Sequence, residues 1–231
     1  MKRVIFLLLG LMAGCAAPKA TVAPVKPVAE STPPVTKSVQ TNQWTSNWKD
    51  LFDGKSLRNW AVTDFAGQGG VLVESNQVTI QFGAELSGIT WTNGSLPKSG
   101  YEISLDAIKI TGNDFFCGLT FPVGDSSCSL IVGGWGGGVV GLSCIDGLDA
   151  SENETTKNRY LEAGKWFSVR VRVTDKKIEA WLGEEKIVEQ ILDGHKISLR
   201  IGEIYRSEPL GIATFQTTAG IKNIRLRLVH D

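Results

Sequence analysis

From Trp48 onward, apolar and polar residues alternate with a period of two in short runs bounded by Gly, Asn and Asp. That is the pattern of strands that bury one face and turn the other outward. The runs fall at 71–74, 77–82, 88–92, 101–110, 115–121, 128–133, 138–144, 166–173, 178–183, 186–190, 197–201, 210–216 and 221–229, and no amphipathic stretch between them is long enough for a three-turn helix. Short strands without helices predict an all-β chain folded as one antiparallel β-sandwich over residues 48–231.

One hairpin carries its own register. In the run from Trp166 to Val173, Phe167, Val169, Val171 and Val173 alternate with Ser168, Arg170 and Arg172, and in the next run Ile178, Ala180 and Leu182 alternate with Glu179 and Trp181. A turn at Asp175-Lys176 pairs Val173 with Ile178, Val171 with Ala180 and Val169 with Leu182. The same register sets Arg172 opposite Glu179 and Arg170 opposite Trp181, an ion pair and a cation–π pair on the outward face. Arg225 and Arg227, alternating with Ile224, Leu226 and Leu228, face outward by the same logic. Such a face is either a solvated sheet surface or part of a carbohydrate surface.

The segment before the strands is of a different kind. Lys2 and Arg3 precede an apolar run from Val4 to Gly14, shorter than the ~20 residues of a spanning helix and therefore a signal-peptide core. Leu11-Met12-Ala13-Gly14-Cys15 matches a bacterial lipobox, which predicts a signal at 1–14 and a diacylglycerol thioether on Cys15. The alternative is cleavage near Ala16 or Ala17. Ala16 to Gln43 holds five of the eight prolines and almost no large apolar side chain, so 15–47 is predicted to be a linker without a core. The expected location is the bacterial cell envelope, at the outer membrane or facing the periplasm, held to the membrane by lipid alone.

Charge and cysteine content narrow the partners. The chain carries 24 basic and 24 acidic residues, a balance that provides no field for nucleic acid. Cys15 aside, Cys117, Cys128 and Cys144 remain. A hairpin turning near Pro122 to Asp125 is expected to bring Cys117 and Cys128 into a disulfide, with Cys128–Cys144 pairing or three free thiols as alternatives. No Cys-x2-Cys pair occurs and His195 and His230 are the only histidines, so no metal or other cofactor is expected. Calcium could use Asp146, Asp149, Glu152 and Glu154, but without EF-hand spacing.

Asn113 to Asp149 concentrates the chemistry. Trp135 stands in a Gly-Gly-Trp-Gly-Gly-Gly run, where an aromatic plate with clear backbone on either side, at Gly134 and Gly136, suits the apolar face of a sugar ring. The alternative is a glycine-rich strand crossing with Trp135 in a minor core. Asp114, Asp125, Asp146, Asp149, Glu152 and Glu154 lie nearby, with Arg159 behind them. Asp114 and Asp146 are the candidates for proton transfer, Trp135 for stacking, and Arg225 for holding a carbonyl or hydroxyl oxygen.

These segments, with Leu51 to Lys55 (LFDGK), Trp91-Thr92, Tyr101 to Ile103 and Asn223 to Arg225, resemble the 3-keto-disaccharide hydrolase-like domain family found in planctomycete and Bacteroidetes lipoproteins. The resemblance covers roughly 48–231 and implies a concanavalin A-like or laminin-G-like jelly roll. It implies hydrolase- or lyase-type processing of a glycoside or 3-keto-glycoside, the alternative being a non-catalytic carbohydrate-binding or envelope interaction module. Many relatives carry an acidic-His-Gly segment before the final strand. Here Gly211 to Gly220 reads GIATFQTTAG, without an imidazole.

Overall fold

A computed structural model describes residues 44–229; the expected export signal at 1–14, the expected lipidation of Cys15 and the expected linker, up to residue 43, lie outside the described residues. Fifteen strands form in chain order: β1 (Lys49–Asp50), β2 (Trp60–Val62), β3 (Val71–Glu74), β4 (Gln77–Ile80), β5 (Leu86–Trp91), β6 (Tyr101–Gly112), β7 (Cys117–Val123), β8 (Ser126–Gly133), β9 (Val139–Ser143), β10 (Lys157–Asn158), β11 (Trp166–Val173), β12 (Lys177–Leu182), β13 (Glu185–Ile191), β14 (Gly211–Phe215) and β15 (Thr217–Leu228). They pair antiparallel in two sheets. The larger, of eight strands, runs β13-β12-β11-β6-β15-β4-β3 with β1 added on β15; the smaller, of seven, runs β10-β9-β8-β7-β14-β5-β2. The predicted β-sandwich is the observed fold.

The alternation explains the layering. Ile103, Leu105, Val169, Val171, Ile221 and Leu226 of the larger sheet and Ile89, Leu119, Phe121, Leu130, Leu142 and Ile212 of the smaller are all fully buried in one core. Each such side chain contributes about 1.5–3 kcal/mol relative to exposure. Tyr101 also ties the sheets, donating its buried hydroxyl to the Pro122 carbonyl at 2.5 Å.

The β11–β12 hairpin has the predicted register at all five pairs, from Val169–Leu182 to Val173–Ile178. Two expectations fail. The 197–201 run is not a strand: only Ile197 bridges, to Ile145, and Ile201 beyond it is fully exposed. Its alternation is that of a half-buried strand, yet the chain there leaves the ladder to cross the smaller sheet. The Cys117–Cys128 disulfide is also absent, and all three described cysteines are free. Cys117 pairs with Val132 and Cys128 with Phe121, so the two lie four residues apart along the ladder, roughly 13 Å, whereas a disulfide needs Cα atoms within about 7 Å. Both thiols face the core, where burial pushes them up to about 12.

Candidate functional site

The inward residues of the smaller sheet are large, so its outward residues determine what can lie on it. Those that face the cleft side are mostly small, Gly118 on β7, Ser129 on β8, Gly141 and Ser143 on β9 and Ala213 on β14, with the larger Ile131 on β8 and Phe215 on β14 among them. A cleft of about 540 Å³ opens above them, lined by Leu86, Asp114, Phe115, Ser129, Ile131, Trp135, Ser143, Asp149, Arg200 and Phe215 with Glu85 and 201–204. That volume lies in the range of small-ligand sites, about 300–1,000 Å³. The rings of Phe115 and Phe215 lie 5.9 Å apart, and Gly118 is required because a Cβ there would come within 2.9 Å of the Phe115 ring.

One wall is the glycine-rich turn. Gly134–Gly137 forms a single irregular turn in which Trp135 has φ 49° and Gly136 φ 85°, left-handed backbone that a tryptophan adopts at a cost of roughly 1–2 kcal/mol. Asp114 holds the turn: its Oδ2 accepts from the Gly136 amide at 3.1 Å and its Oδ1 from the Phe115 amide at 2.8 Å. Trp135 thereby keeps 42% of its surface exposed, against the alternative of a tryptophan in a minor core. Gly134 is buried and bridges Val139, and the Gly136 amide donates to Asp114, so of the two glycines expected to offer clear backbone to a sugar, Gly134 is covered and Gly136 spends its N–H on the turn.

The opposite wall comes from 198–204. Cys144 and Ser198 exchange backbone hydrogen bonds at 2.6 and 3.2 Å, which carries Arg200 over Asp149. Arg200 Nη1 lies 2.8 Å from Asp149 Oδ2, and Asp149 Oδ1 accepts from Ser143 Oγ at 2.5 Å. The guanidinium stands 6.0 Å from the centre of the Trp135 ring, so plate, cation and carboxylate face one space. Glu203 on the far rim pairs with Arg206.

The other two residues selected from sequence lie elsewhere. Asp146 is not among the cleft-lining residues; it accepts from His195 Nδ1 at 2.8 Å and from the Lys196 amide at 2.7 Å. The Lys196 amide first, and His195 second, hold its carboxyl below the ordinary value, while Asp146 raises His195. Arg225 lies on the outer face of the larger sheet, with its guanidinium 4.7 Å from the Trp48 ring. Asp149 had stood only as one of several neighbouring acids, while Arg200, Phe115 and Phe215 carried no sequence signal for a site. They come from separate segments joined only by the fold. The four acids considered for calcium do not converge, and among the described residues no group of three or more His, Cys, Asp or Glu side chains is placed to hold a metal.

The 3-keto-alpha-glucoside-1,2-lyase-like domain family matches residues 47–227. No curated protein matches the chain. Among solved structures, a transglycosylase in complex with NAG superposes with a TM-score of 0.55 at 10% identity, covering 81% of this chain and 86% of that one. A Bacillus subtilis protein with a galectin-like fold gives 0.52 at 10% identity, covering 80% and 100%. The carbohydrate-binding module CBM66 of Bacillus subtilis gives 0.51 at 12%, covering 73% and 95%. At these identities the likeness is one of fold.

Proposed function

The chain belongs to the 3-keto-alpha-glucoside-1,2-lyase-like domain family, a carbohydrate-related domain, and we propose that the cleft between Trp135 and Arg200 holds a 3-keto-glycoside for 1,2-elimination. The observation that carries this is the Asp149–Arg200 pair at 2.8 Å facing an exposed aromatic plate across one cleft. Trp135 stacks on the C–H face of the sugar and Asp114, having fixed the turn, has lone pairs left for a hydroxyl. A keto group at C3 acidifies the C2 proton. Asp149 takes that proton, the C–H electrons form an enolate whose oxygen Arg200 holds, and the enolate collapses to a C1–C2 double bond as the C1–O bond breaks. The departing oxygen takes a proton from water, the hydroxide left behind adds at C1, and Asp149 returns its proton to C2, giving the free 3-keto sugar and the carboxylate again.

A second reading, a module that binds a glycan without turning it over, is favoured by the Asp114 and Asp149 contacts. Each oxygen of both carboxylates already accepts a hydrogen bond or faces a guanidinium, and no histidine lines the cleft. Product release from 3-keto-trehalose or 3-keto-lactose separates the two. Elimination predicts a loss of about a hundredfold or more in turnover for Asp149→Asn, with Trp135→Ala weakening substrate binding; wild-type binding without product leaves the binding module standing. We also propose that Cys15 carries the lipid that holds the domain at the envelope, which predicts that labelled palmitate enters the wild-type chain and not Cys15→Ser.

A further inference from the structure

Arg200 is 59% exposed at its side chain and sits on a segment outside the named strands, so local contacts must fix it. The contacts that do so begin upstream. Ile197 bridges Ile145, the Asp146 amide donates to the Lys196 carbonyl at 2.8 Å, and Ser126 Oγ donates to the Ile197 carbonyl at 2.9 Å. Besides Ser126, the side-chain anchor is Asp146, which grips the segment twice, through the Lys196 amide and the His195 ring.

The same loop presents both ends of the device. Asp146 grips 195–196 and Asp149, three residues on, meets Arg200, so the loop and the crossing segment are pinned at the clasp and matched at the cleft. We infer that Asp146 and His195 are positioning residues that set the wall of the glycoside cleft by fixing the segment that carries Arg200. This rests on the cleft being the glycoside site, but the clasp itself is a property of the chain that is measurable without sugar.

The groups facing His195 are Asp146 at 2.8 Å and Glu154 at 3.8 Å, both acidic, and no cation opposes them in the pair. The charged pair is therefore complete above the lowered value of Asp146 and below the raised value of His195. As pH rises through the latter, the imidazole loses its charge and the clasp keeps only a hydrogen bond from neutral imidazole to the Asp146 carboxylate, without the ion pair. Looser anchoring at high pH is the consequence.

The test uses full-length wild type, Asp146→Asn, Asp146→Ala and His195→Gln. Asparagine suits the position because Asp146 has φ 52°, a conformation asparagine tolerates. Hydrogen exchange of the 196–202 amides is expected to quicken about tenfold in Asp146→Ala and less in Asp146→Asn, without a change in β6 or β11. Titration with 3-keto-trehalose between roughly pH 5 and 8 is expected to show wild-type affinity falling with pH, a slope absent in His195→Gln, and affinity down about tenfold in Asp146→Ala. Unchanged exchange in all variants overturns the clasp whether or not sugar binds. Faster exchange with unchanged affinity and an unchanged pH slope confines it to loop stability and overturns the positioning role. If no sugar binds the wild type, the glycoside reading falls, and the exchange arm alone decides the clasp.

Discussion

The outer faces of the two sheets solve opposite problems. On the smaller sheet, Ser129 and Ser143 lie on the cleft floor with Ile131, Gly118 lets the Phe115 ring come close, and segments at 85, 114–115, 135, 149 and 200–204 wall the cleft. On the larger sheet, long side chains fill the space themselves. Glu102, with no exposed side-chain surface, lies within 2.6 Å of Arg227, 2.7 Å of Arg172 and 3.1 Å of Arg170. Arg170 in turn lies 3.8 Å from the centre of the Trp181 ring, and Arg225 and Arg227 cover Trp48. Glu179 takes Lys177 and Lys186 at 3.1 and 3.0 Å. A face whose charges and rings are spent on one another has few groups left for a ligand. The comparison teaches that arginine and tryptophan paired within one sheet face mark a self-satisfied surface here, whereas the same residue types carried on loops beside small sheet residues mark the site.

If that is right, the largest effect on stability belongs to Glu102 and should leave the cleft untouched. Glu102→Ala strips the acid from three guanidinium groups and is expected to cost about 3 kcal/mol, read as a lower denaturant midpoint, with sugar affinity unchanged. Burial alone would push Glu102 up, but hydrogen bonds from Arg227 and Arg172 outweigh it and its value is lowered. A lowered carboxylate contributes stability above its unfolded value that is lost as pH falls through the folded one. Wild type should therefore lose stability on acidification below about pH 4.5 more steeply than Glu102→Ala, and parallel acid profiles would count against the grid.

The two faces also differ in how legible they were. Arg170, Arg172, Glu179 and Trp181 lie within one hairpin whose two-residue turn fixes the register, so their pairings follow from local sequence. The strand alternation likewise reveals the sandwich. The cleft is assembled from Asp114, Trp135, Asp149, Arg200 and Phe215, brought together by sheet order that no local pattern encodes. Trp135 was recognisable because glycines flank it on both sides, and Asp114 was one of the acids near that run. Asp149 was hidden among acids of equal standing, and Arg200 sat in an alternation indistinguishable from a strand. Cys117 and Cys128 were misjudged for a different reason: being on the two strands of one hairpin does not set them opposite each other, and the ladder pairs Cys117 with Val132 and Cys128 with Phe121.

Arginines on the two faces should then behave in opposite ways. Arg170→Ala loses its contacts with Trp181 and Glu102 and is expected to cost about 1 kcal/mol of stability, with affinity for 3-keto-trehalose preserved. Arg200→Ala is expected to leave the denaturant midpoint nearly unchanged and to lower affinity about tenfold, since its partner Asp149 remains hydrogen-bonded to Ser143. If both variants lose stability and neither loses affinity, the distinction between a structural and a recognition face fails.

The smallest effect is the sharpest, because it separates strain from recognition at one residue. Trp135 occupies left-handed backbone at φ 49°, held there by the Asp114 bond to the Gly136 amide. Alanine at 135 removes the ring but inherits the unfavourable φ; glycine removes both, at an entropic cost in the unfolded chain of about 0.5–1 kcal/mol. The two variants should lose sugar affinity equally, while Trp135→Gly is expected to exceed Trp135→Ala in stability by about 0.5 kcal/mol, read as a small rise in Tm. Equal loss of binding with a stability difference in that direction means the chain accepts a strained backbone in order to hold an aromatic plate over the cleft. A glycine variant less stable than the alanine one would mean the turn is relaxed, and that Trp135 stands exposed for packing alone.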